Sequence, residues 1–188
     1  MTVQQPCVRL AVEGVGALDV SLVDGAVAGL DEVLARSNPG TLSQVCKMLE
    51  KVGEVLEGAE NYLAAARVYG HCVHAAEGLK SPLNAALALN NQALAYKRAN
   101  ELERALEVYE RAVSLIREPL SLPAEERERP AVMLPLLLNI AMLHYQRGEH
   151  LEAADAATSA LQLARTRTDE ASRRVVQEST SLLGKLGL

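Results

Sequence analysis

The sequence predicts an all-α protein built from repeated helical hairpins, on three observations. Gly53, Ala93 and Ala141 are each followed 12 residues later by an alanine, Ala65, Ala105 and Ala153, while the anchors themselves stand 40 and then 48 residues apart. The spacing inside each unit is constant and the connections vary. Apolar residues recur around those anchors at helical spacing, as in Leu89, Ala93 and Tyr96 followed by Ala105, Tyr109 and Ala112. The composition agrees: 49% hydrophobic but only 3% aromatic, with no Phe or Trp, it suits closely packed helices better than the strands of a sandwich or barrel.

Taken in order, residues 1–18 alternate at Val8, Leu10 and Val12 in a way that allows a short strand hairpin, and a helix over about 20–36 buries Leu22, Ala26, Leu30, Val33 and Leu34. Ser37-Asn38-Pro39-Gly40 ends it, closing an N-terminal segment, 1–40. Thr41 or Ser43 is expected to cap the next helix, which Gly58 follows, and its partner runs from about Glu60 to Glu77. Ser81 with Pro82 reads as an N-cap and a first-turn proline, opening a helix to about Arg98. Its partner spans Leu102 to Arg117 and stops at Pro119. The hairpins thus cover about 42–79, 82–118 and 131–165 within a repeat region of 41–167. Between the second and third, Ala124 to Arg129 begins a helical extension interrupted near Pro130 or Pro135. A last helix, about Asp169 to Gly184 within 168–188, buries Val175, Val176, Ser179, Leu182 and Leu183 and caps the stack.

The small anchors have a physical reading: antiparallel helices approach closely only where side chains are small. Gly53 against Ala65, Ala93 against Ala105 and Ala141 against Ala153 are the expected contacts. The full pattern, a large residue, x2, Leu, a small residue, x2, an aromatic, x8, Ala, x3, an aromatic, x2, Ala, resembles the tetratricopeptide repeat (TPR). The middle unit matches six of its seven positions, with Gln92 in place of Leu. The outer units depart further, with Cys72 where Ala belongs and with His144 and Ala157 where aromatics belong. The resemblance covers roughly residues 42 to 165. It implies a right-handed superhelical stack whose first helices line a concave groove.

In that family the side chain two residues before each small anchor looks into the groove, which here means Lys51, Asn91 and Asn139. Asparagines at this place are similar to those of kinesin-light-chain and Pins-type domains, where they hold an extended peptide, because a carboxamide offers a donor and an acceptor to one peptide unit. Asn139 interrupts the apolar run Leu136-Leu137-Leu138 and Ile140, a costly placement unless the amide is paired or faces an opening. Leu94 and Met142 add apolar groove contacts. The third unit also resembles immunophilin-type domains, but their carboxylate clamp is not reproduced. Glu50, Glu54, Asn91, Pro135 and Asn139 occupy its positions, and a register one repeat later gives Asn90, Leu94, Asn139, Asp169 and Arg173. Acidic groups where lysines belong repel a carboxylate, leaving Asn139 with Arg173 as a weaker anion contact. Lys97 and Arg98 either meet an acidic ligand or complement a helix C-terminus, and the charges from Glu125 to Arg129 read as a solvated helix face.

The expected function is therefore that of an adaptor or scaffold, cochaperone-like, binding a peptide or helix of a protein partner. The alternative is a structural subunit of a constitutive assembly, with the oligomeric state open. No enzyme is expected: there is no phosphate-cradling glycine loop, no nucleophile elbow and no cofactor motif. His71, Cys72 and His74 lack a further ligand at metal spacing, so no metal is expected. A net charge of −5 argues against nucleic acid as a partner. No basic leader and no run approaching about 20 apolar residues is present, and three cysteines in no metal spacing fit a reducing, cytoplasmic setting with free thiols.

Overall fold

The computed structural model describes residues 29–117, 120 and 123–188. Among these the secondary structure is entirely helical. The strand hairpin that residues 1–18 allow lies outside the described residues, as does most of the helix expected over 20–36 in preference to it. The chain divides into two compact units, one through Glu101 and one from Leu102 onward.

The first unit contains α1 (Leu30–Ala35), α2 (Pro39–Gly58), α3 (Tyr62–Gly78) and α4 (Pro82–Arg98). Helix α2 starts earlier than its expected Thr41 or Ser43 cap. Asn38 is the N-cap, its side chain accepting the Thr41 N–H at 3.0 Å, and Pro39 follows in the first turn, where a missing N–H costs nothing. Asn61 caps α3 in the same way through the Ala64 N–H. Helix α3 packs against α1, α2 and α4 at once, which explains its composition. A helix enclosed on several sides needs small apolar residues around most of its circumference, and Ala64, Ala65, Ala66, Val68, Tyr69, Cys72, Val73, Ala75 and Ala76 are all buried.

At the first of the expected close pairings a large side chain takes the nearest place. Gly53 and Ala65 are both buried, but the atoms nearest to Gly53 across the hairpin belong to Tyr69: a Cβ built on Gly53 falls 2.5 Å from ring carbons Cε1 and Cζ. Gln92, where a repeat of this type prefers leucine, sets its amide against Gly70, 3.1 Å from where a Cβ would sit.

The second unit contains α5 (Leu102–Arg117), α6 (Pro123–Arg147), α7 (His150–Arg165) and α8 (Glu170–Lys185). The expected second hairpin thus has α4 in the first unit and α5 in the second. Helix α6 opens at Pro123, ahead of the boundary expected at 131, and runs through Pro130 and Pro135 without ending. The additional residues from Pro123 onward are therefore helical. Helix α6 packs against α5, α7 and α8. One buried cluster joins Leu134, Leu138, Ala160, Ala164 and Val175, and a second joins Ala141, Ala157 and Leu182. Ala141 thus meets the residue 16 positions on, as Gly53 does, and Leu182 of the last helix joins them.

Four corners share one construction. Glu60, Lys80, Asn100 and Gly148 each take positive φ, between 53° and 79°. At each corner that residue's N–H bonds the carbonyl three back and the next N–H bonds the carbonyl five back, as in Asn61 to Leu56, Ser81 to Ala76, Glu101 to Tyr96 and Glu149 to His144. This is the Schellman closure, which satisfies the last carbonyls of one helix while reversing the chain into the next. No helix among the described residues is long and apolar enough to cross a membrane.

Candidate functional site

An open groove of about 550 Å³ lies between α6 and α8, lined by Met142, Arg174, Gln177, Glu178, Ser181, Leu182 and Lys185. The geometry of α8 produces it. Asp169 caps this helix, its carboxylate accepting the Ser172 N–H and hydroxyl, each at 2.9 Å. These bonds, with Arg167 at 2.8 Å, hold the carboxyl down to about 2. Val175, Ser179 and Leu182 then face the core at helical spacing. The adjacent stripe of Arg174, Gln177, Glu178, Ser181 and Lys185 is left to line the groove.

Chemically the groove offers an apolar floor and a polar rim. Met142 is 37% exposed on α6, above the buried Leu182. Gln177 and Ser181 supply donors and acceptors for a peptide backbone. Arg174 is paired with Glu178, whereas Lys185 has no ion pair among the described residues, so the rim carries one uncompensated cation in a chain of negative net charge.

The other expected site residues lie as follows. Asn139 is half-buried on α6, one turn before Met142, and Arg173 is exposed on α8, where Arg174 rather than Arg173 lines the groove. Asn91 and Leu94 are half-buried on α4 of the first unit. Lys51 is exposed and ion-paired to Glu54 at 2.6 Å, which raises its pKa. Lys97 and Arg98 occupy the last turn of α4, where cations complement the helix dipole. Burial holds the Lys97 ammonium below its ordinary value, and Arg98 reaches Glu57 of α2 at 2.9 Å. Arg98 therefore ties the first unit together.

Gln177 was missed from the sequence, although a signal for it exists. Val175, Glu178, Ser179 and Leu182 repeat the spacing of Leu89, Gln92, Ala93 and Tyr96, which puts Gln177 two residues before a small anchor, as Asn139 is. Its polar face hides the similarity.

The metal question turns on Cys72. Its thiol reaches the Cys46 carbonyl of α2, while the rings of His71 and His74 meet edge to face at 6.2 Å. No group of three or more metal-ligating side chains converges among the described residues.

No family model matches this chain, and no curated protein matches it closely enough to count as a relative.

Proposed function

We propose that this chain is a TPR-like protein-interaction module whose α6–α8 groove captures an extended peptide segment of a partner. The groove supports this reading through one arrangement, an exposed methionine beside a carboxamide and a hydroxyl. Methionine adapts to varied apolar side chains, while Gln177 and Ser181 pair with the peptide backbone. Lys185 favours a segment carrying acidic residues. The register of Asn139 and Gln177, each two residues before a buried small residue, is the feature shared with peptide-holding repeats. In the first unit Asn91 holds the same register position.

Selection of peptides from a random display library on the full chain, followed by fluorescence polarisation, tests the reading. Peptides enriched on the wild type are expected to lose about tenfold or more in affinity, about 1.4 kcal/mol, on Met142→Glu or Gln177→Ala. Asn139→Ala combined with Asn91→Ala should also weaken capture while circular dichroism and melting stay near normal. Equal binding by the groove variants would place the peptide elsewhere. Loss of folding in the asparagine pair would assign those residues to structure.

A further inference from the structure

Cys46 on α2 and Cys72 on α3 face each other across the first hairpin. The Cys46 thiol donates to the Cys72 carbonyl oxygen at 3.9 Å, and the Cys72 thiol donates to the Cys46 carbonyl at 3.8 Å. Both are free thiols, with Cys72 fully enclosed and Cys46 9% exposed at the edge of the core, its sulfur 3.8 Å from the Glu50 carboxylate. The reciprocal bonds require each side chain to lie over the other's backbone, so the two Cβ–Sγ groups are adjacent on helices whose corner is already fixed by a Schellman closure. A simple packing role needs no sulfur at either place: alanine is the residue that such a repeat uses at the Cys72 position.

We propose that Cys46 and Cys72 form a reversible disulfide that staples α2 to α3 when the protein meets hydrogen peroxide. Cys46 is the attacking sulfur. The neighbouring Cys72 side chain lowers the Cys46 pKa, outweighing burial and the Glu50 carboxylate, while the Cys46 side chain and burial raise that of Cys72. The nucleophile is thus also the cysteine nearer to solvent. Its thiolate attacks one peroxide oxygen: an S–O bond forms, the O–O bond breaks, and the departing hydroxide takes a proton to become water, leaving Cys46 as a sulfenic acid. The Cys72 sulfur then attacks the Cys46 sulfur. The S–S bond forms, the S–O bond breaks, and hydroxide leaves with the Cys72 proton as a second water. Two thiols have lost two electrons and two protons, and one peroxide has become two waters. A thiol reductant reverses the bond by exchange.

The test uses the full chain with Cys7→Ser, so that only the two facing cysteines remain. The reduced native protein is treated with hydrogen peroxide, quenched with catalase, denatured, and titrated for thiols. The count is expected to fall from two to zero. Peptide mapping without reductant should find the Cys46 and Cys72 peptides joined and two hydrogens lighter than their sum, in a chain that stays monomeric on a non-reducing gel, and dithiothreitol should restore both thiols. In Cys72→Ser, dimedone should then label Cys46. The proposal is overturned if both thiols survive peroxide, if they are lost to sulfinic acid or to bridges between chains, or if the internal bridge forms only in denaturant. Should Cys7→Ser fail to fold, the wild-type chain is mapped directly: a 46–72 linkage upholds the proposal, and linkage through Cys7 overturns it.

Discussion

Gly53 and Tyr69 pack against each other across the first hairpin. The tyrosine ring lies flat where a Cβ on Gly53 would have to be, 2.5 Å from the Cε1 and Cζ carbons. Tyr69 is 2% exposed, so its ring has no free volume into which to retreat. Burial, with the neighbouring Glu57 and Glu54 carboxylates, pushes its hydroxyl pKa upward.

Gly53→Ala is accordingly expected to destabilise the protein by about 1–3 kcal/mol through overpacking. A glycine replaced by alanine in a helix interior would otherwise gain roughly 0.5–1 kcal/mol, so the sign of the result separates the two effects. Urea unfolding reads it. In a Tyr69→Leu background the alanine should cost less, giving a coupling between the sites, whereas additive effects would show that the two do not touch.

The corners carry a second expectation. Lys80 is exposed in the left-handed region at φ 53°, which costs a side-chain-bearing residue roughly 1–2 kcal/mol. Lys80→Gly should therefore raise stability by up to about 1 kcal/mol, since glycine's own entropy takes back part of the gain. Gly148→Ala, at φ 79° with nothing within 4 Å of the new methyl, should lower it by about 1 kcal/mol through the backbone alone. Melting curves of the two variants should shift in opposite directions.

These corners show how far the sequence could be read. Helix existence was legible because alanine spacing and the Ser81-Pro82 signal are local, whereas Asn38-Pro39, which reads as a stop for the preceding helix, also opens α2. Glu60 and Lys80 gave no sign of turning the chain, because their left-handed backbone is imposed by the helices on either side. The contact between Gly53 and Tyr69 was also hidden. A 12-residue recurrence of small residues suggested that small faces small, but the side chain actually touching the glycine is the large one four residues further along, one helical turn. Met142, expected in a groove formed by the first helices of the repeats, lies instead in the groove between α6 and α8. Its partners Gln177 and Lys185 were not legible, because α8 carries no strong repeat pattern and only its packing against α6 gives it a groove side.

Ser179 supplies a third expectation. It is fully buried on α8 and its hydroxyl has no hydrogen-bond partner among the described residues. An unsatisfied buried hydroxyl costs about 1–3 kcal/mol, and alanine fills nearly the same volume with better helix propensity. Ser179→Ala should leave the fold unchanged and raise stability by about 1 kcal/mol. A loss of similar size on thermal or urea unfolding would mean that the hydroxyl bonds the preceding turn.

Asp169 links the last helix to pH. Its carboxyl is held down to about 2, against an ordinary 3.8, chiefly by the Ser172 backbone N–H and hydroxyl and then by Arg167. The folded state therefore favours the charged carboxylate, and the stabilisation is fully present above about pH 4 and is lost as the pH falls toward about 2. Asp169→Asn keeps a capping oxygen but removes the titration. Urea midpoints measured from about pH 5 down to about pH 2 should fall more steeply for the wild type than for the variant. Hydrogen exchange should assign the difference to the first turn of α8, which leads into the groove-lining Arg174. Parallel curves would mean that the cap does not sense its own charge, and that the groove wall keeps its shape in acid.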